Sequence, residues 1–245
     1  MNIIFTLTKR ELRSFFGSAT GYIVISIFLI GTALFLWIFP NQYNVLDSGY
    51  ASLDGLFALA PMLFLFLCPA ITMRLFAEER QQGTLELLLS RPASKLSITL
   101  GKAFAGWLLS AITLLPALIW FLSINFLSEP AFNVDSGAFW GSFIGLLFLS
   151  MIYISIGTFA SAISGNQVVA FLAAAVGCFV LYIGFDFLGS LFTNGATSQF
   201  VRGIGIDSHY KSISRGVIDS RDLTYFLVVS AIFIFCTEKV LQRKK

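Results

Sequence analysis

Runs free of Asp, Glu, Lys and Arg, each long enough to cross a bilayer, recur along nearly all of this 245-residue chain. About 30 Å of hydrocarbon needs about 20 helical residues, so these runs predict transmembrane helices. The first covers 21–39 and stops at Pro40; the second covers 55–73, between Asp54 and Arg74. A third lies at 103–127. From 136 to 185 there is no charge at all, too long a stretch for one helix. The polar Ser164-Gly165-Asn166-Gln167 divides it into spans near 138–162 and 168–188 joined by a tight loop. A sixth span near 223–241 reaches full length only if Glu238 and Lys239 extend towards the headgroups.

The expectation is an all-α polytopic membrane protein, one membrane domain over 1–245 with six transmembrane helices. Composition agrees: 57% of residues are hydrophobic and 12% charged, against about 25% charged in an ordinary soluble domain. No remaining stretch is large enough for a separate soluble domain. The first apolar run begins only at Gly21 and lacks a small-residue cleavage pattern, so no cleavable signal peptide is expected. Cys68, Cys178 and Cys236 all fall inside apolar runs without metal-ligand spacing, where a thiol behaves as a small hydrophobe. Pro61, Pro69 and Pro116 each delete a backbone hydrogen bond within a span and predict kinks.

Lys and Arg set the expected orientation. Lys9, Arg10 and Arg13 precede the first span; Arg74, Arg80, Arg91, Lys95 and Lys102 lie between the second and third; Lys239, Arg243, Lys244 and Lys245 follow the sixth. The loops after spans one and three hold Asp47, Asp54, Glu129 and Asp135 and no basic residue. Both termini are therefore expected in the cytoplasm. Arg202, Lys211, Arg215 and Arg221, in the long loop before the sixth span, run against this pattern. Ahead of the first span, Thr6, Lys9 or Arg10, Arg13 and Gly17 recur on one helical face and Ile4, Phe5, Leu12, Phe15 and Phe16 cluster on the other. That pattern predicts an amphipathic helix lying on the bilayer surface, its basic side towards anionic headgroups.

Catalytic patterns are scarce. Gly101-Lys102 is followed by Ala103 and lacks the upstream glycine of a phosphate-binding loop, so this chain is not expected to bind ATP. His209 is the only histidine and is expected in a loop. Asp186 stands alone near a membrane end, and an acid–base dyad needs two carboxylates. No catalytic, cofactor or metal site is expected, and the small net charge of +3 gives no reason to expect nucleic acid. An intramembrane enzyme, a protease or acyl transferase using a serine with Asp186 or His209, is the alternative in another functional class.

The informative segment is 74–102. Gly83 punctuates it, Thr84 is placed to cap a short helix, 85–89 form an apolar patch, and Pro92 ends it. Such a patch needs a cover, either the parent bundle or a soluble partner. Glu79, Gly83, Thr84, Leu85, Glu86, Leu88, Leu89 and Pro92, with Gly101 and Lys102 downstream, follow the pattern E-x-x-x-G-T-L-E-x-L-L-x-x-P and then G-K. In this the chain resembles the permease subunits of type-2 ABC transporters. The likeness extends to Lys9-Arg10-Glu11-Leu12-Arg13-Ser14-Phe15-Phe16 at the start and to Arg215-Gly216-Val217-Ile218-Asp219-Ser220-Arg221-Asp222-Leu223 leading into the last span. Within the family it is most similar to the gliding-motility-associated permeases.

The resemblance implies a non-catalytic subunit of the bacterial inner membrane. It implies cytoplasmic ATPase partners carrying ATP and Mg, and a second permease copy or related membrane subunit. The segment around 85–89 would be the helix coupled to the ATPase. Short re-entrant helices are implied around 188–192 and 200–206.

Overall fold

The computed structural model describes residues 3–47, 49–90, 93–129, 134–216 and 219–243. Among them the chain folds into helices joined by turns and loops, with no strand. Six helical stretches are long and apolar enough to cross a membrane: Ala19–Ile38, Asp54–Gln81, Lys95–Leu127, Ser136–Ile163, Gln167–Ser190 and Ser220–Gln242. Each corresponds to an expected run, the first stopping one residue short of its end. The second and third reach well beyond theirs, because helix continues into the charged flanks. Lys102, expected in a loop, therefore sits about two turns inside a helix that starts at Lys95.

The chain opens with α1 (Ile3–Gly17), which turns at Ser18 into α2 (Ala19–Ala33). The first span finishes in a π-turn over Leu34–Ile38, closed by the Phe39 N–H donating to the Leu34 carbonyl at 2.8 Å. The second span is α3 (Asp54–Thr72) followed by α4 (Arg74–Gln81), interrupted at Met73. The interruption has a visible cause. Ser161 Oγ accepts from the Phe76 and Ala77 N–H groups at 3.0 and 3.1 Å and donates to the Met73 carbonyl at 3.0 Å. A side chain inserted into the helical ladder is a recognised origin of such bends.

After α5 (Leu85–Leu89), the third span is α6 (Lys95–Leu114) and α7 (Ala117–Leu127), broken at Pro116 as the sequence predicts. The Ile112 carbonyl, which loses its proline donor, accepts instead from the Leu115 N–H at 3.2 Å. The fourth span, α8 (Ser136–Ile163), is the hub of the bundle and packs on α3, α4 and α6. Asp135 caps it by accepting from the Ala138 N–H at 3.0 Å. Gly157 lets α3 come close: a Cβ there would lie 2.0 Å from Thr72 Oγ1. Asn166 ends the expected turn and caps α9 (Gln167–Phe179), accepting from Val168 N–H at 2.8 Å.

A π-turn over Val180–Gly184 leads from α9 into α10 (Phe185–Ser190), which completes the fifth span. Two short helices follow, α11 (Gly195–Arg202) and α12 (Ile206–Ile213), before α13 (Ser220–Arg243). The apolar stretches 188–192 and 200–206, expected to be the short helices themselves, fall across helix ends and turns instead. What places α12 is its buried face of Ile206, Tyr210 and Ile213, set against α8 where Gly145 leaves room for Ile213.

Tyr210 also resolves one of the two prolines in the second span. Pro61 has no N–H for the Phe57 carbonyl one turn back, and Tyr210 Oη donates to that carbonyl at 2.7 Å. A neighbouring element thus supplies the bond that hydrocarbon cannot.

Candidate functional site

The expected partner-facing segment begins where α4 ends. Gly83 has φ +69°, the left-handed conformation that suits glycine at the end of a helix. The Thr84 N–H donates to the Glu79 carbonyl at 2.9 Å and the Gly83 N–H to the Arg80 carbonyl at 3.2 Å, the paired bonds of a Schellman ending. Thr84, expected to cap the next helix with its hydroxyl, instead donates that hydroxyl to the Glu79 carbonyl at 3.3 Å. Glycine and threonine thus finish α4 and turn the chain into α5.

The α5 helix presents two unlike sides. Leu85 and Leu88, three residues apart on one face, are buried at 8% and 7% exposure in the core of this chain. Glu86 is exposed, and Leu87 is 69% exposed. Leu89 is partly buried. Of the two covers expected for the 85–89 patch, its own bundle supplies one, over Leu85, Leu88 and part of Leu89. What remains outward is Leu87 beside Glu86. Leu87 was absent from the sequence-derived site, although helical periodicity places it opposite Leu85 and Leu88. Arg91 and Pro92 lie outside the described residues.

Behind this segment is a charge cluster that joins three elements. Lys102 on α6 is only 1% exposed, yet its Nζ lies 2.9 Å from Glu79 Oε1 on α4 and 3.1 Å from Glu11 Oε1 on α1. It also donates to the Leu75 carbonyl at 2.6 Å, so all three ammonium donors have acceptors. Its ammonium stands 5.2 Å from the Phe76 ring centroid. Arg10 closes the cluster, its Nη2 bonding Glu79 Oε1 at 2.9 Å and contacting Glu11 Oε1. Two cations and two carboxylates alternate, so the cluster is neutral.

Burial pushes the Glu11 carboxyl up, but the charges of Lys102 and Arg10 outweigh it and hold the group below its ordinary value. The facing carboxylates hold the Arg10 guanidinium above its own ordinary value despite burial.

Close helix contact makes the cluster possible. Thr8 Oγ1 donates to the Gly101 carbonyl at 3.0 Å, and a Cβ on Gly101 would meet Leu7 Cβ at 2.9 Å and the Ile4 carbonyl at 3.2 Å. The Gly101-Lys102 pair thus has two roles, a gap for α1 and a cation for its glutamate. Of the basic residues expected to share one surface of α1, only Lys9 and Arg13 are exposed without an ion pair among the described residues. Arg10 is turned to Glu11 and Glu79.

Two further arginines brace α4. Arg80 donates to the Ala162, Ile163 and Ser164 carbonyls at 2.6, 2.9 and 2.9 Å, covering the C-terminus of α8. Arg74 donates to Thr20 Oγ1 at 2.6 Å and Ser18 Oγ at 3.0 Å. Neither is a free surface charge.

The groups considered for intramembrane catalysis are engaged elsewhere. His209 lies in α12, not in a loop. Its Nδ1 is 2.7 Å from Asp222 Oδ1, its Nε2 is 3.0 Å from the Gly203 carbonyl, and its ring stacks on Tyr225. Asp186 Oδ1 is 3.6 Å from Arg202 Nε. Neither histidine nitrogen is left to activate a serine.

Among the described residues the chain is thus a six-span helical membrane bundle, its first helix and second span clamped together beside a short, half-covered helix. The chain belongs to the ABC-2 family transporter proteins, whose family model matches residues 41–238. No curated protein matches it.

Proposed function

We propose that this chain is the permease subunit of an ABC exporter driven by separate cytoplasmic ATPase subunits. In this reading α5 is the coupling helix, and Glu86 and Leu87 are the groups that touch the ATPase. Glu79, Gly83, Thr84, Leu85, Leu88 and Leu89 hold that surface in place, with Lys9, Arg10 and Arg13 on the interfacial α1. The observation that carries the reading is the two-sided α5: its inner leucines anchor it to the bundle while a glutamate and a leucine point away. Movement of α5 would pass through α4 to the Arg10–Glu11–Glu79–Lys102 cluster, and so to α1 and α6 together.

The proposal places the chain as a single membrane domain in a bacterial inner membrane, both termini cytoplasmic and α11–α12 at the outer side as short re-entrant helices. A second permease copy or a related subunit completes the pathway, since six spans form half of the usual symmetric arrangement. Transport linked to gliding motility is the specific role we propose, on the overall likeness to gliding-motility-associated permeases.

The test is co-purification of the ATPase, normalised to permease abundance. Glu86→Arg and Leu87→Asp alter only the outward side, and should insert normally while losing the ATPase. Wild-type association in both variants would refute the assignment of α5.

A further inference from the structure

The flank of α1 that the charge cluster does not use borders an apolar groove. Ile4, Phe5, Leu12 and Phe16 of α1 and Phe104 and Leu108 of α6 line a space of about 630 Å³. Lys9 and Arg13, one helical turn apart, share that lining, and both are exposed. No carboxylate pairs with either among the described residues, whereas Arg10 between them is taken by Glu11 and Glu79. Two uncompensated cations therefore stand over an apolar slot where a surface helix meets a membrane span.

We propose that this groove is a binding site for an anionic phospholipid, its phosphate between Lys9 and Arg13 and an acyl chain along Phe104 and Leu108. The chemistry selects among occupants. A small soluble anion would satisfy the cations and leave the aromatic floor bare. A zwitterionic lipid would bring its own cation up to Lys9 and Arg13. An anionic lipid satisfies both parts. Because α1 also carries Arg10 and Glu11, an occupied groove would hold in place the helix that grips Glu79. This goes beyond the coupling role of α5, and binding can be measured whether or not that role is correct.

Trp107 packs on Phe104 with ring centroids 5.4 Å apart and serves as the reporter. In a Trp37→Phe/Trp120→Phe/Trp140→Phe chain in nanodiscs, Trp107 should be quenched by phosphatidylglycerol with brominated acyl chains at lower mole fraction than by the matching phosphatidylcholine. Two basic groups, each giving a factor of about five, set a preference of up to roughly 25-fold. Lys9→Gln/Arg13→Gln should abolish the preference, Lys211→Gln/Arg215→Gln should keep it, and inorganic phosphate should not displace the lipid. The chain with all four tryptophans, purified in detergent with equal amounts of the two lipids, should retain phosphatidylglycerol in native mass spectra. Equal quenching or retention of the two lipids, an unchanged preference in Lys9→Gln/Arg13→Gln, or displacement by inorganic phosphate would each overturn the site.

Discussion

Glu79 and Lys102, separated by the whole loop that carries α5, meet at 2.9 Å between Oε1 and Nζ. The two ends of one sequence motif are thus a single buried contact, and Glu11 and Arg10 complete it from α1. Its position implies that the loop is held at both ends: by the Schellman turn at Gly83 on one side and by the lysine on the other.

Removing the lysine alone should be costly. Lys102→Met leaves Glu11 and Glu79 facing Arg10 only, and loss of one partner from a buried ionic group costs about 3–5 kcal/mol. Thermal unfolding in detergent should show this as a marked fall in Tm. Lys102→Met/Glu79→Gln should lose less than the sum of the two single changes, because the orphaned charge is gone. Strict additivity would mean that the two groups do not interact.

Acid should weaken the same cluster. Glu11 has its carboxyl held below the ordinary value, so the folded state binds that proton less readily than the unfolded chain. Its stabilisation is complete above about 4.3, the ordinary glutamate value, and is lost as pH falls through the lowered one. The Tm difference between wild type and Glu11→Gln should be large at neutral pH and shrink below about pH 4. A difference that stays constant under acid would show that the Glu11 charge is not what α1 depends on.

Tyr210 and Pro61 should be coupled through the Phe57 carbonyl. Tyr210→Phe removes the donor and leaves a buried acceptor unpaired, at a cost of about 1–3 kcal/mol. Pro61→Ala restores a backbone N–H one turn along the helix, so in that background Tyr210→Phe should cost much less. An equal loss of Tm in both backgrounds would separate the tyrosine from the proline.

Orientation can be checked on two exposed residues at opposite ends of the spans. Cysteines at Leu46 and Gln82 should differ in intact cells, with Leu46→Cys reacting with an impermeant thiol reagent and Gln82→Cys protected until the membrane is opened. The reverse pattern would invert the proposed topology and place α5 outside.

The helices were legible in the sequence because spanning length and absence of charge are local properties. A bilayer imposes both on consecutive residues. The break at Pro116, the turn at Ser164 to Gln167 and the helix end at Gly83 were legible for the same reason: each is the intrinsic geometry of one or two residues. The pairing of charges was not. Lys102 looked like a loop cation, and its burial depends on Gly101 admitting α1 and on Glu11 and Glu79 arriving from two other helices. Likewise, 85–89 reads as one apolar patch until tertiary packing covers Leu85 and Leu88 and leaves Leu87 beside Glu86 in the open. Hydrophobicity dictates which segments enter the membrane; which of their few polar groups meet is decided only when helices distant in sequence pack, since the Lys102 ion pairs and the Phe57 carbonyl deprived by Pro61 are satisfied across such contacts.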